Sequence, residues 1–196
     1  MRRITVFCGS SSGNDAVYTE QAKLLGRVLA QRGMGVVYGG ALAGLMGAVA
    51  EGALEQGGEV IGVLPSFLRT REIAHEGLSR LIIVDSMHER KQRMHDLCEG
   101  FIALPGGFGT LEEFFEILTW GQLGLHDKAV GLLDTGGYYR HLLAFLDTAV
   151  STGFLKNINR QMIQVSEDIG ELLDKMNTYT PPPVAKWIRR PSSSPG

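Results

Sequence analysis

Phe101-Ile102-Ala103-Leu104-Pro105-Gly106-Gly107-Phe108-Gly109-Thr110-Leu111-Glu112-Glu113 is the stretch around which the chain is organised. Phe101 to Leu104 form an apolar run long enough for a short buried strand. Pro105 blocks helix there and removes a backbone donor. Gly106, Gly107 and Gly109 let the backbone turn sharply and approach a bound group. Thr110 is a candidate N-cap, and Leu111, Phe114, Phe115 and Leu118 then recur at helical spacing. Strand, glycine turn and helix start together aim unpaired N–H groups and a positive dipole end at an anion. Glu112 and Glu113 stand beside that seat. A phosphate site next to a candidate acid or base points to chemistry on a phosphorylated substrate.

Two common glycine-loop readings fail on the same residues. A Walker A loop needs Gly-Lys-Ser/Thr after its glycines, and none follows. A dinucleotide fingerprint begun at Gly107 needs glycine where Glu112 stands, and that carboxylate would repel a pyrophosphate.

Outward from this stretch, apolar runs alternate with helical patterns. Strands are expected at Arg3–Cys8, Val36–Tyr38, Glu59–Leu64, Leu81–Val84, Val130–Leu133 and Ile163–Val165. Helices are expected from Asn14 or Asp15 to Gly33, Leu45 to Gln56, Ser86 to Cys98, Thr110 to Gln122, Tyr138 to Thr152 and Ile169 to Met176. A loop or short helix from Ser66 to Gly77 carries Arg69, Arg71, Glu72 and His75. The alternation implies right-handed crossovers and an α/β fold: a doubly wound, Rossmann-like parallel sheet with helices on both faces. Ligands then bind beyond the carboxyl ends of the strands, where the turns Gly9–Gly13, Gly39–Gly44 and Pro105–Gly109 converge. Residues 1–180 are read as one domain, and the Pro- and Ser-rich residues 181–196 as a disordered tail.

The totals narrow the classes further. The chain has 196 residues, enough for one sizeable core, and a net charge of −2, which does not mark a general nucleic-acid or membrane-surface binder. No apolar run reaches ~20 residues. Cys8 and Cys98 lack metal spacing and read as buried thiols of a reducing compartment; the chain is therefore expected in the cytoplasm. The five histidines show no metal-ligand spacing, so no metal is expected.

Two four-residue stretches fit capping boxes: Ser86-Met87-His88-Glu89 and Thr110-Leu111-Glu112-Glu113. The first is read as a cap. For the second, capping and chemistry both stay open. Arg90 and Lys91 lie in the first turns of a helix, where the dipole disfavours cations by roughly 0.3–1 kcal/mol each. They mark either a site or a solvated charged face. Asp85 and Thr119 stay open as pocket-lining residues.

Pro105-Gly106-Gly107-Phe108-Gly109-Thr110-Leu111-Glu112-Glu113 resembles the PGGxGTxxE signature of the Lonely guy family, cytokinin riboside 5′-monophosphate phosphoribohydrolases often labelled lysine decarboxylases. Met87-His88-Glu89-Arg90-Lys91 resembles the second signature of that family. Val37-Tyr38-Gly39-Gly40 and Gly44-Leu45-Met46-Gly47 resemble its first glycine loop, with Ala41 where a third glycine often stands. The resemblance implies hydrolysis of N6-substituted adenosine 5′-monophosphate, with AMP as a second candidate, to free base and ribose 5-phosphate, without a cofactor. It implies Glu113 and Arg90 as catalytic residues. Substrate or phosphate contacts are implied from Glu72, Lys91, Met87, Gly106, Gly107, Phe108, Gly109, Thr110, Leu111 and Glu112, with Ser10, Gly39 and Gly40 from the converging turns. It also implies a homodimer or higher homo-oligomer. Two rivals remain: a non-enzymatic carrier of a nucleotide-like cofactor such as molybdenum cofactor, and a pyridoxal-phosphate decarboxylase, for which Lys91 and Lys128 are the only lysines between Lys23 and Lys156.

Overall fold

A computed structural model of the chain describes residues 1–68 and 77–183. Seven strands form a single sheet in which every neighbouring pair is parallel: β1 (Arg3–Phe7), β2 (Gly35–Tyr38), β3 (Val60–Pro65), β4 (Arg80–Val84), β5 (Gly100–Ala103), β6 (Ala129–Leu133) and β7 (Ile163–Ser166). Their order is β4-β3-β2-β1-β5-β6-β7. The chain winds outward from β1 to one edge, returns to the other side of β1 at β5, and winds to the opposite edge. The direction reverses between β1 and β5, and a crevice opens beyond their carboxyl ends.

The strands β1, β2, β3, β5 and β6 are buried almost throughout because helices cover both faces. Helices α1 (Ala16–Gln31), α2 (Gly44–Leu54) and α7 (Ile169–Asn177) close one face over Ile4, Val6, Val36 and Ile102. Helices α3 (Met87–Asp96), α4 (Phe108–Gln122) and α5 (Arg140–Ser151) close the other over Phe7, Val37, Phe101 and Val130. The alternation along β1 thus serves two cores at once. The small residues of α2 bring it close to α1 as well as to the sheet: a Cβ on Gly52 would overlap the Lys23 carbonyl.

Most expected elements are present with ends moved by a residue or two. Asp15, not Asn14, caps α1, its side chain accepting from the Val17 N–H at 3.0 Å. Residues 135–137 form a 3₁₀ turn, so α5 starts at Arg140 rather than Tyr138. A short helix α6 (Asn157–Arg160) has no counterpart in the periodicity reading. The largest correction is at α4. That helix starts at Phe108, with Gly107 at the N-cap position, and its first helical bond runs from the Leu111 N–H to the Gly107 carbonyl at 3.1 Å. Thr110 therefore lies inside the first turn and caps nothing. Residues 69–76, with Glu72, and residues 184–196 of the expected tail lie outside the described residues.

Candidate active site

Three loops meet at the reversal point and hold one another. The Gly9 N–H donates to the Pro105 carbonyl at 3.0 Å, and the Leu45 N–H at the start of α2 donates to the Gly9 carbonyl at 3.1 Å. Between them lies a cavity of about 290 Å³, near the low end of the small-molecule range. A second hollow, about 400 Å³, lies at the amino ends of β1 and β2 and is lined by Arg2, Arg3 and Glu59. There the Arg3 guanidinium is already bound by Glu59 at 2.7 Å. The smaller cavity, at the strands' carboxyl ends, holds the uncommitted groups.

The α4 start supplies one wall. Gly107, Phe108, Gly109 and Thr110 all line the cavity, and no side chain caps this helix. Its first-turn N–H groups and positive dipole end are free for an anion. By contrast Asp15, Ser86 and Asp168 cap α1, α3 and α7 with their own side chains.

Glu113 lies one turn further along α4 and lines the same cavity. Among the described residues no side chain donates a hydrogen bond to its carboxylate. Burial pushes its carboxyl up to about 7, against the opposing pull of Arg90. A carboxyl poised near neutrality beside an anion seat suits general acid–base work.

Arg90 forms the facing wall. It is 8% exposed, its Nε has no partner among the described residues, and its Nη1 lies 3.9 Å from the Met87 Sδ. A buried guanidinium with an open donor is costly unless something binds it. Gly39, at the end of β2, makes room for it: a Cβ there would overlap the Arg90 Nη2. Ser10 and Met87 line the cavity too, so the Gly9, Gly39 and Pro105 turns do converge with the α3 start.

Other expected positions are placed elsewhere. The Lys91 Nζ is 2.5 Å from a Glu112 oxygen and 2.9 Å from a Glu116 oxygen, and Lys91 does not line the cavity. Those carboxylates supply the compensation for a cation near the helix start. Glu112 stands at the cavity rim, paired to Lys91. Leu111 packs into the core below α4, and Gly40 turns against Leu64. Gly106 has its carbonyl bound by the Tyr138 hydroxyl at 2.8 Å. None of these three lines the cavity, and neither do Asp85 and Thr119. Ala41 is fully buried in the core, so its methyl group does not reach the site. Cys8, Met46 and Met94 line the cavity without having been expected there. Cys8 directly follows β1 at the reversal point and Met46 lies in the Gly44–Gly47 stretch, which are positional signals; Met94 carries none. Burial raises the Cys8 thiol well above its ordinary value and keeps it neutral.

Among the described residues no helix is long and apolar enough to cross a membrane, and no group of three or more His, Cys, Asp or Glu side chains is placed to hold a metal ion.

Sheet order, reversal-point cavity, uncapped helix start and the Arg90 and Glu113 side chains lining one cavity suit an anionic ligand on a doubly wound α/β fold. Comparison with known proteins narrows the class. The family described as "Possible lysine decarboxylase" matches residues 46–176. Two cytokinin riboside 5′-monophosphate phosphoribohydrolases of Arabidopsis thaliana are 47% and 46% identical to the chain. Each match covers 92% of the chain, and 84% and 79% of the respective relative. The chain belongs to this Lonely guy family of phosphoribohydrolases. Among solved structures, the molybdenum cofactor carrier protein of Chlamydomonas reinhardtii is similar in fold, with a TM-score of 0.68 at 22% identity over 90% of this chain and 95% of that one. At that identity the likeness shows the fold alone.

Proposed function

We propose that the protein hydrolyses the N-glycosidic bond of N6-substituted adenosine 5′-monophosphates, releasing the free base (an active cytokinin) and ribose 5-phosphate. The observation that carries this reading is Glu113, a half-buried carboxyl near neutrality, one turn beyond an uncapped helix start in a single cavity. Breaking the C1′–N bond builds positive charge on the ribose, an oxocarbenium-like state. The Glu113 carboxylate stabilises that charge and takes a proton from the attacking water. Arg90 binds substrate oxygens through its open donors. The first turn of α4 seats the phosphate, with Gly107, Gly109 and Thr110 in contact. Lys91 acts at one remove, by fixing Glu112 and Glu116. That proton passes on to the departing base nitrogen, so the step consumes only substrate and water.

The carrier reading is not favoured. Its likeness is one of fold at 22% identity, whereas relatives at 46–47% are named as phosphoribohydrolases. A decarboxylase reading has no suitable lysine in the middle of the chain: Lys91 is bound between two carboxylates and Lys128 donates to the His95 carbonyl at 2.6 Å. We further take residues 1–180 as one domain, the cytoplasm as the compartment (supported by two free buried cysteines) and a homodimer as the working form. Phe108, 94% exposed at the cavity mouth, supports the last point, because a second copy would cover it.

The test is base release from N6-isopentenyl-AMP, AMP and the matching nucleosides. Monophosphates should be cleaved with a kcat/KM at least about tenfold above their nucleosides, since the helix start binds the anion. Equal values remove the phosphate seat, and binding without base release supports a carrier.

A further inference from the structure

We infer that Tyr138 and Tyr139 are positioning residues for the phosphate-binding turn, an inference that rests on the function proposed above. Three successive carbonyls enter that turn, and each accepts from a donor outside it. The Tyr139 hydroxyl donates to Leu104 O at 2.5 Å, the Gly9 N–H donates to Pro105 O at 3.0 Å, and the Tyr138 hydroxyl donates to Gly106 O at 2.8 Å. The turn's own glycines supply no side chain to do this.

Peptide planarity converts these bonds into aim. In a trans peptide the carbonyl of one residue and the N–H of the next point in opposite directions. Holding Gly106 O toward Tyr138 therefore holds the Gly107 N–H the other way, on the residue that lines the cavity. Released, this glycine-flanked peptide can rotate and present its oxygen to the site. An oxygen there repels a phosphate where an N–H would bind it.

The tyrosines are themselves held. Tyr139 is 2% exposed, and its backbone N–H donates to the buried Asp134 Oδ1 at 2.6 Å. The Asp134 N–H in turn donates to the Ser166 carbonyl at the end of β7. The Tyr138 ring stands edge-on to Tyr139, with centroids 4.9 Å apart, and edge-on to Tyr18 at 5.8 Å. The strand ends of β6 and β7 thus brace a turn that follows β5. Neither tyrosine lines the cavity, so neither is a catalytic residue.

Tyr138→Phe is the deciding variant. Its hydroxyl lies on a partly exposed side chain, so water replaces the lost bond without restoring its direction, and the fold survives. The expected result is a rise in KM for N6-isopentenyl-AMP of about five- to tenfold with kcat within twofold. The inhibition constant of inorganic phosphate should rise by the same factor, with kcat/KM for the nucleoside unchanged. Tyr139→Phe should shift the same quantities but also lower the Tm, because it strands a buried carbonyl. Unchanged KM and phosphate inhibition in a folded Tyr138→Phe overturn the positioning role, and so does an equal loss on nucleoside and monophosphate. The wild type distinguishes the two levels of failure. If it prefers monophosphate and the variant keeps that preference, only the tyrosine inference falls. If it has no preference for monophosphate, the proposed function falls first and this inference with it.

Discussion

Ser86-Met87-His88-Glu89 and Thr110-Leu111-Glu112-Glu113 share one pattern and stand at equivalent places, each after a strand and at a helix start. In the first, Ser86 Oγ accepts from the Glu89 N–H at 3.1 Å, and the Glu89 carboxylate accepts from the Asp85 N–H at 3.0 Å. Both side chains are consumed by the helix end. In the second, α4 is already under way: Gly106 and Gly107 let the chain enter helical geometry before Thr110, whose buried side chain lies against Gly106. Glu113 is thereby released from capping and turned into the cavity. The difference teaches that a capping pattern is read by the residues preceding it. A glycine pair there leaves the helix end uncapped and the glutamate free of it.

The largest expected effect breaks or confirms that contrast directly. Glu113→Gln should fold, bind nucleoside monophosphate and lose on the order of 10²-fold or more in kcat. Glu89→Gln should keep kcat within about twofold, since glutamine caps as well as glutamate. Base-release assays with thermal melting compare the two variants. Similar losses in both would mean that Glu113 acts only through structure.

A smaller effect comes from giving α4 the cap it lacks. Space around Gly107 is open to a Cβ, and its φ of −94° suits any residue. Gly107→Asp should cap the helix and raise the Tm slightly, while its carboxylate occupies the anion seat. KM for the monophosphate should then rise by about tenfold or more, with nucleoside cleavage little changed. Unaltered monophosphate KM would place the phosphate elsewhere.

The pH dependence sharpens the role of the freed carboxyl. With Glu113 raised to about 7 by burial, kcat/KM should climb about tenfold per unit below pH 7 and level off above it. The stability term has the opposite sign. A folded-state value above the unfolded one gives stability that is complete below the unfolded carboxyl range and lost as pH rises through about 7. Glu113→Gln should therefore gain Tm relative to wild type at pH 8 but not at pH 4. Flat profiles in both measurements would return the carboxyl to an ordinary, solvated value.

The contrast also shows where a sequence is legible. Apolar runs between glycine turns marked all seven strands, most plainly the five inner ones, which helices bury on both faces. They gave no spatial order: that β1 lies beside β5 is a matter of crossovers, yet it locates the site. Arg90 stood out by breaking the dipole preference, and its burial against Gly39 explains why. Lys91 broke the same rule for a different reason, two carboxylates from α4 that no local pattern reveals. Met94 is silent because methionine at helical spacing reads as core. Tyr138 and Tyr139 are silent because the carbonyls they hold lie 32 and 35 residues earlier.

The smallest effect tests the capped partner. Ser86→Ala removes the hydroxyl that accepts from Glu89 and should cost roughly 0.5–2 kcal/mol. For a chain of this size that is a fall in Tm of about 2–4 °C per kcal/mol. The site should scarcely notice. The Arg90 N–H donates to the Ser86 backbone carbonyl at 3.0 Å, and alanine keeps that carbonyl. Further along α3, buried Met94 and the Lys91 pairs with Glu112 and Glu116 hold the helix independently of its cap. Loss of the hydroxyl therefore frays the first turn while Arg90 stays against Gly39, and kcat and KM should remain within about twofold. A tenfold fall in kcat/KM would show that the Ser86 cap serves the site as well as the helix. The two helix starts would then differ in degree and not in kind.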